Sequence, residues 1–184
     1  MVNMRPFTAF EQKNLKFLVN HNVKFTQVEI TPTGLGKGIL DSTAPMRAYF
    51  LENGIHNYEE QLQGQEHKQI KQACILTDAT QLFTKASFYR PNTKKGDPRM
   101  WVYGFGSYTE GNDIHVLFWH EQILYSINIT HIDIEKCYNS AIITPMQEVL
   151  KAINQEGNSV SEELLGRFRA VKDQWFESEV TADT

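Results

Sequence analysis

"FTKASFYRPNTKKGDPRMWVYGFGSYTEGNDIHVLFWHEQILYSINI", residues 83–129, decides the fold class of this chain. Apolar and polar residues alternate in four short runs, at 83–90, 99–105, 113–119 and 123–129. A period of two is that of a β-strand, whose successive side chains point to opposite faces. Turn-forming residues separate the runs. The stretch therefore predicts four strands, and their short connections predict an antiparallel meander.

Helical patterns lie on both sides of this stretch. Thr8 followed by Glu11 has the spacing of a capping box, which predicts a helix that ends at about Asn20. Further helices are predicted over 41–54, 57–71, 144–155 and 161–177, further strands over 23–30 and 73–76, and a glycine-rich loop over 31–38. Because helices and strands are segregated along the chain, the order predicts an α+β fold with helices packed beside an antiparallel sheet.

Length and composition are typical of one globular domain. The chain has 184 residues, of which 41% are hydrophobic, enough for a substantial core. We therefore predict a single domain over 1–184, with a helix-rich part at 1–72, the sheet at 73–130 and C-terminal helices at 144–177. The two cysteines, Cys74 and Cys137, lie far apart without metal or redox spacing, which favours buried thiols.

The N-terminal segment indicates the compartment. "MVNMRPFTAFEQKNLKF", residues 1–17, contains no uninterrupted apolar region of the kind that a signal peptide needs. No apolar run in the chain approaches the roughly 18 residues of a membrane span. The sequence therefore predicts a cytoplasmic protein that does not associate with membranes.

The charge distribution is uneven. The chain has a formal net charge of −4, yet the segment 85–99 has a local net charge of +4, with Asp97 its one acidic residue. The cations of the segment are Lys85, Arg90, Lys94, Lys95 and Arg99, and aromatic rings alternate among and beside them at Tyr89, Trp101 and Tyr103. Binding of a charged partner responds to the local field, so an acidic average is compatible with a local site for polyanions.

This hairpin has the chemistry of a nucleic-acid-binding element. Lys94 and Lys95 are predicted at an exposed loop tip, with Arg90 and Arg99 at the ends of the two strands. Arg and Lys bind phosphate, rings stack on bases, and a two-stranded ribbon fits the DNA major groove. The predicted nucleic-acid-binding residues are Lys85, Tyr89, Arg90, Lys94, Lys95, Arg99, Trp101 and Tyr103. The alternatives are a solvated hairpin whose Trp101 belongs to the core, and a site for another anionic ligand or an acidic protein.

A second pattern points to metal-dependent cleavage. Glu66 and Lys68 form Glu-x-Lys, and Asp41 lies upstream. In metal-dependent nucleases an aspartate and such a glutamate hold Mg²⁺, while the lysine steadies the attacking water or the phosphate. The pattern predicts Asp41, Glu66 and Lys68 as catalytic residues, with Asp41 and Glu66 as Mg²⁺ ligands. The alternative is a solvated helix face.

Two segments resemble proteins associated with type II restriction endonucleases. They are "TGLGKGILDSTAPMRAYFLENGIHNYEEQLQGQEHK", 33–68, and "SFYRPNTKKGDPRMWVYGF", 87–105. The resemblance implies a DNA-recognising or DNA-cleaving protein, and it places Arg90, Lys94, Lys95, Arg99 and Trp101 at DNA with Gly64, Glu66 and Lys68 near a second site. The chain lacks the Pro-Asp followed by a strand-borne Glu-x-Lys that cleavage would require in such proteins.

Together these patterns predict a DNA-binding protein of a restriction or phage-defence system. The alternatives are a Mg²⁺-dependent endonuclease and a non-catalytic protein that binds an acidic partner. A homodimer or a partner restriction subunit is compatible with each of these functions. If the segments 33–38, 56–68 and 85–103 form one site, they should meet in the folded chain.

Overall fold

The computed structural model describes residues 4–157. Contacts divide the chain into two compact units. The sheet unit comprises Phe25–Leu76 and Gln81–Asn128, and the helical unit contains the described residues before Phe25 and after Asn128 together with Thr77–Thr80. The fold is α+β, as the sequence predicts. The prediction of a single domain over 1–184 stays a prediction.

Seven strands form one sheet in the sheet unit. They are β1 (Thr26–Ile30), β2 (Leu40–Asp41), β3 (Gln69–Leu76), β4 (Gln81–Tyr89), β5 (Arg99–Val102), β6 (Asp113–His120) and β7 (Ile123–Asn128). Their spatial order is β1-β6-β7-β3-β4-β5-β2. All neighbours are antiparallel except β3 and β7, which pair in parallel with Ala73 beside Leu124. The sheet is therefore mixed.

The predicted antiparallel meander is present only in part. The antiparallel pairs β4–β5 and β6–β7 are present, but β5 and β6 are not neighbours. Each pairs instead with a strand from the N-terminal part of the chain, β5 with β2 and β6 with β1. Pairing between segments so distant in sequence leaves no local periodicity, so the strand order was not accessible from the pattern.

The helix predicted over 57–71 is also wrong. Single 3₁₀ turns occupy Tyr58–Glu60 and Gln65–His67, and β3 begins at Gln69. Gly64 between the turns has φ +118°, which no α-helix accommodates. A stretch with so few apolar positions has no apolar face with which a helix could pack.

The other helices follow the sequence more closely. Those predicted from Thr8, over 41–54 and over 144–155 are present as α1 (Ala9–Asn20), α3 (Ala44–Glu52) and α5 (Pro145–Gly157). Two short helices were not predicted, α2 (Pro32–Lys37) in the expected glycine-rich loop and α4 (Ile134–Tyr138). The helix predicted over 161–177 lies outside the described residues. Among the residues that the structure describes, no helix has the length and apolarity to cross a membrane.

The core of the sheet unit lies on one face of the sheet. Phe50 of α3 meets Phe88 of β4 edge to face, with ring centroids 5.1 Å apart, and both rings are fully buried. The Tyr49 hydroxyl accepts a hydrogen bond from the Trp119 amide of β6 at 2.9 Å. Each fully buried large apolar side chain contributes about 1.5–3 kcal/mol, so this cluster holds α3 on the sheet.

Two buried polar side chains anchor α1 in the helical unit. The Asn14 amide donates to the carbonyls of Ile129 and Ile132, and its oxygen accepts from the Ile134 amide. Glu11, fully buried, closes the predicted capping box with Thr8. These bonds fix α1 against the chain segment that leads into α4.

Candidate nucleic-acid interface

The β4–β5 register places most of the predicted binding residues on one face of the sheet. Tyr89 lies opposite Arg99, and Ser87 lies opposite Trp101. Tyr103 continues this pairing opposite Lys85, since its amide donates to the Lys85 carbonyl at 2.9 Å. Directly opposed residues share a face, as do residues two apart along a strand. The residues that share this face are therefore Lys85, Tyr89, Arg99, Trp101 and Tyr103.

The two lysines of the hairpin tip are exposed and held in an uncommon backbone conformation. Lys94, Lys95 and Gly96 have φ of +50°, +58° and +71°, and the Gly96 amide donates to the Thr93 carbonyl at 2.9 Å. For a residue with a β-carbon the left-handed region costs roughly 1–2 kcal/mol. The tip is therefore a defined turn that presents Lys94 and Lys95 to solvent.

Within the described part of the chain, the basic residues of the hairpin lack carboxylate partners at ion-pair distance. None of its five cations forms an ion pair with an Asp or Glu of residues 4–157 at 4.0 Å or less. The strands β3, β4 and β5 contain Lys71, Lys85 and Arg99 and no acidic residue. Asp41 of β2 lies opposite Arg99 of β5 and is the acidic residue that the register places nearest to these cations. The positive charge of the segment is therefore available to an anion.

The structure gives the Arg90 guanidinium hydrogen-bond partners that the sequence did not predict. This guanidinium donates to the carbonyl of Gly96 at 2.9 Å and to those of Gln61 and Tyr58 at 3.1 and 3.4 Å. It does not face Arg99, which pairs with Tyr89. Because three carbonyls occupy the guanidinium, Arg90 braces the base of the tip and is a supporting residue.

Tyr89 and Trp101 are also more enclosed than stacking residues would be. Tyr89 is 6% exposed, and the Lys68 ammonium lies 5.1 Å from the centroid of its ring. Trp101 is half-buried, meets the Phe105 ring edge to face at 5.3 Å and lies beside Gly38. Tyr103, by contrast, is 39% exposed. Of the three predicted stacking rings, Tyr103 alone is open to a base.

The structure adds buried polar residues that hold the hairpin and that sequence reasoning missed. The Tyr58 hydroxyl donates to the Arg99 carbonyl at 2.8 Å and lies 2.6 Å from the Ser42 hydroxyl. Burial raises the pKa of Tyr58, so the hydroxyl keeps its proton and the Ser42 hydroxyl is the donor to it. Ser42 and Arg99 lie 16 and 41 positions from Tyr58, so no local spacing in the sequence marks these contacts.

Gln61 connects this support to a histidine. Its amide nitrogen donates to the carbonyls of His67 and Phe88, both at 2.9 Å, so its oxygen faces His56 Nε2, 2.9 Å away. Nε2 therefore carries the proton, and Nδ1 is the lone-pair nitrogen. His56 and Gln61 line a cleft of about 360 Å³ with Lys71 and Gln69.

The segments 33–38, 56–68 and 85–103 meet at the hairpin. The Gly64 amide donates to the Arg90 carbonyl at 2.7 Å, and a β-carbon on Gly96 would lie 2.6 Å from the Gln63 amide nitrogen. A β-carbon on Gly38 would lie 3.8 Å from the Trp101 ring. Segments 33–38 and 56–68 therefore both contact the hairpin 85–103, at different points.

The predicted catalytic residues are not brought together. Asp41 ends β2, whereas Glu66 and Lys68 precede β3. β4 and β5 lie between these strands, and three strand spacings amount to about 14 Å. Two carboxylates that share one Mg²⁺ each bind it at roughly 2.1 Å. Among the described residues, neither Asp41 nor Glu66 belongs to a group of three converging His, Cys, Asp or Glu side chains.

Lys68 and Glu66 have other neighbours. Lys68 lies over the Tyr89 ring, and the exposed Glu66 carboxylate is 3.8 Å from His67 Nε2. Lys68 therefore lies beside the hairpin, and the Glu66 carboxylate lies near its chain neighbour His67.

Comparison with protein-family models, with characterised proteins and with solved structures finds no match. The geometry and charge of this chain are therefore the basis for inferring its function.

Proposed function

We propose that this protein binds DNA through the β4–β5 hairpin. The observation that supports the proposal is a cluster of cations that form no ion pair with an Asp or Glu of residues 4–157, on a hairpin whose base is held by uncharged carbonyls. A phosphate backbone supplies the complementary charge, and release of its counterions drives binding by such a cluster. Lys94 and Lys95 contact phosphate at the tip, and Arg99 and Lys85 continue the positive charge along the strands.

Phosphate binding by the tip predicts a salt-dependent affinity that two neutral substitutions reduce. Lys94→Gln/Lys95→Gln keeps side-chain length and removes both charges. For duplex DNA the slope of log K against log salt should become shallower by about 1.8, since each phosphate contact contributes roughly 0.9. Fluorescence anisotropy over a salt series measures this slope.

A matched control removes the same charge elsewhere. Lys136→Gln/Lys151→Gln changes two exposed lysines of the helical unit and should leave the slope unchanged. Equal slopes for wild type and Lys94→Gln/Lys95→Gln would overturn the proposal. A folded protein that binds no DNA but captures an acidic protein through these lysines would replace DNA with a protein partner.

We assign the DNA-binding role to a restriction or phage-defence system on the resemblance of 33–68 and 87–105 to proteins associated with restriction endonucleases. Cleavage has less support, because Asp41 and Glu66 flank different strands. Plasmid nicking that requires Mg²⁺ and is lost in Glu66→Ala would establish the endonuclease alternative.

A further inference from the structure

Five exposed side chains form an open face on β3, β4 and the end of β5. They are Ile70, Gln72, Phe83, Lys85 and Tyr103, and we call this surface the open face. Gln72 lies opposite Lys85, which in turn lies opposite Tyr103, so these three residues form one row across three strands. Phe83, which is 59% exposed, lies two residues from Lys85 on the same face.

The two rings of the open face are spaced for separate contacts. Phe83 and Tyr103 occupy diagonal positions on adjacent strands, roughly 7–8 Å apart at their backbones. Lys85 neighbours both rings, opposite Tyr103 and two residues from Phe83, and forms no ion pair with any carboxylate of the described residues. Gln72, opposite Lys85, adds an amide that can donate and accept hydrogen bonds. Two rings, a cation and an amide therefore adjoin one another on this surface.

Charge and exposure together limit what this face can bind. An apolar protein surface would leave Lys85 without a counter-charge in the contact. An acidic protein surface would satisfy Lys85 but would gain nothing from exposed Phe83. A single-stranded nucleic acid offers phosphates for the lysine and unpaired bases for the rings, since every base has a face that stacks on an aromatic side chain.

We propose that the open face binds single-stranded DNA, with bases stacked on Phe83 and Tyr103 and phosphate at Lys85. A duplex cannot use the rings, because its bases are already stacked on one another inside the helix. The tip lysines then contact the backbone of the same strand, since Tyr89 and Arg99 connect the tip to the face along the hairpin. This inference rests on the proposed DNA binding and specifies its substrate as single-stranded.

The test compares two DNA forms and two pairs of variants. Anisotropy measures binding of an oligothymidine of about 12 nucleotides, within the site sizes of proteins that bind single strands, and of its duplex with oligoadenosine. Phe83→Ala/Tyr103→Ala should weaken single-strand binding by about 25-fold or more, from roughly fivefold for each stacked base. Duplex affinity should change by less than about twofold, because phosphate contacts alone hold the duplex.

Two controls separate stacking from a loss of exposed apolar surface. Phe10→Ala/Leu51→Ala removes two exposed apolar side chains outside the face and should leave both affinities unchanged. Phe83→Tyr keeps a ring and should retain single-strand binding. Circular dichroism confirms that each variant is folded, as expected for substitutions at exposed positions.

The outcomes separate failure of the single-strand inference from failure of the proposed DNA binding. If Lys94→Gln/Lys95→Gln weakens binding but Phe83→Ala/Tyr103→Ala does not, DNA binding stands and the single-strand inference fails. If the wild type prefers the duplex, the inference also fails. If neither DNA form binds, both proposals fail. A wild-type dimer that Phe83→Ala/Tyr103→Ala converts to monomer would make the open face an interface between copies.

Discussion

At the scale of single residues, Glu11 shows how a buried charge is held. Burial on its own raises the pKa of this carboxyl. Hydrogen bonds from Arg5, Thr130 and the Thr8 amide, together with the Arg5 charge, outweigh burial and lower the pKa of Glu11 below its ordinary value of 4.5. Arg5 binds both carboxylate oxygens, at 2.7 and 2.5 Å.

The lowered pKa of Glu11 makes stability depend on pH. The ionised form is favoured in the native state, so its contribution is complete above about pH 4.5 and is lost as pH falls through the lower native value. Glu11→Gln should cost about 2–4 kcal/mol at pH 7, because it leaves Arg5 without its anion in a partly buried site. Urea unfolding at pH 7 and at pH 3 measures both effects.

The exposed pair Lys13–Asp133, 3.3 Å apart, is the control for Glu11. Lys13→Ala should cost less than about 1 kcal/mol, as exposed ion pairs do. Equal losses of stability in Glu11→Gln and Lys13→Ala would contradict the account of Glu11.

His56 has a pH dependence in a different range. Burial and the Lys71 charge lower its pKa, and they outweigh the opposing hydrogen bond to Gln61. Protonation therefore favours the unfolded chain, so this contribution is present above about pH 6.5 and is lost as pH falls through the native value. Long-range ¹H–¹⁵N NMR should show the proton on Nε2 at pH 7.5.

Gln61→Met tests the hydrogen bond that places the His56 proton on Nε2. It removes the acceptor of His56 Nε2 and the donor to the Phe88 carbonyl, and should cost about 1–3 kcal/mol. A neutral His56 that carries its proton on Nδ1 in the wild type would show that the Gln61 oxygen does not face the ring.

Local residue patterns allowed prediction of the Thr8–Glu11 cap but not of the function of Arg90. A capping box is a contact over three residues, and its spacing is visible in the sequence. Arg90 donates to carbonyls of Tyr58 and Gln61, about thirty positions away, and any backbone carbonyl could serve. The sequence therefore predicts a cation at Arg90 but not that its Nε and Nη1 donate to backbone carbonyls.

At the scale of elements, the hairpin tip depends on Gly96. Gly96 is buried with φ +71°, and an added β-carbon would lie 2.6 Å from the Gln63 side chain. Gly96→Ala should cost about 1–2 kcal/mol, chiefly from the left-handed backbone, because the exposed Gln63 can move away. Thermal or urea unfolding measures this loss.

Two further variants test whether backbone conformation or steric contact causes the loss of stability in Gly96→Ala. Gly36→Ala places a methyl where no atom lies within 4 Å and at a helical position, so stability should be unchanged or slightly higher. Gln63→Ala should not rescue Gly96→Ala. Full rescue would show that steric contact, rather than backbone conformation, is what requires glycine.

Substitutions of Arg90 and of the tip lysines should affect different properties, with Arg90 needed for stability and the lysines for binding. Arg90→Lys loses the planar fork that reaches three carbonyls, so the free energy of unfolding should fall by about 1–3 kcal/mol. Lys95→Gln should change it by less than about 0.5 kcal/mol, since the side chain is exposed. An Arg90→Lys protein as stable as the wild type would mean that these carbonyl contacts contribute little.

The elements were predictable where their period was continuous. Each of the four runs within 83–129 contains a strand, because a period of two is a local property of the chain, although β6 and β7 are buried along nearly their whole length. The helix predicted over 57–71 is absent because hydrogen bonds hold this segment rather than an apolar face. The Gln61 side chain donates to the Phe88 carbonyl, and Arg90 donates to the Gln61 carbonyl. Such bonds leave no period in the sequence.

At the scale of the whole molecule, the charge distribution could be predicted from the sequence but the strand order could not. The α+β class follows from the order of elements, but the parallel contact of β3 with β7 depends on pairing between distant segments. The positive segment is visible in the sequence, whereas the enclosure of Tyr89 and the exposure of Phe83 required the folded chain. The local charge of the segment was therefore predictable from the sequence, whereas the burial of each ring was not.

The central claim is that DNA binds at the hairpin and open face, and amide chemical-shift mapping tests it directly. Oligothymidine added to ¹⁵N-labelled protein should shift the amides of Lys85, Lys94, Lys95 and Tyr103, and leave those of α1 and α5 in place. High salt should reverse the shifts. Shifts confined to the helical unit, or no shifts at a DNA concentration that saturates the anisotropy signal, would contradict the account.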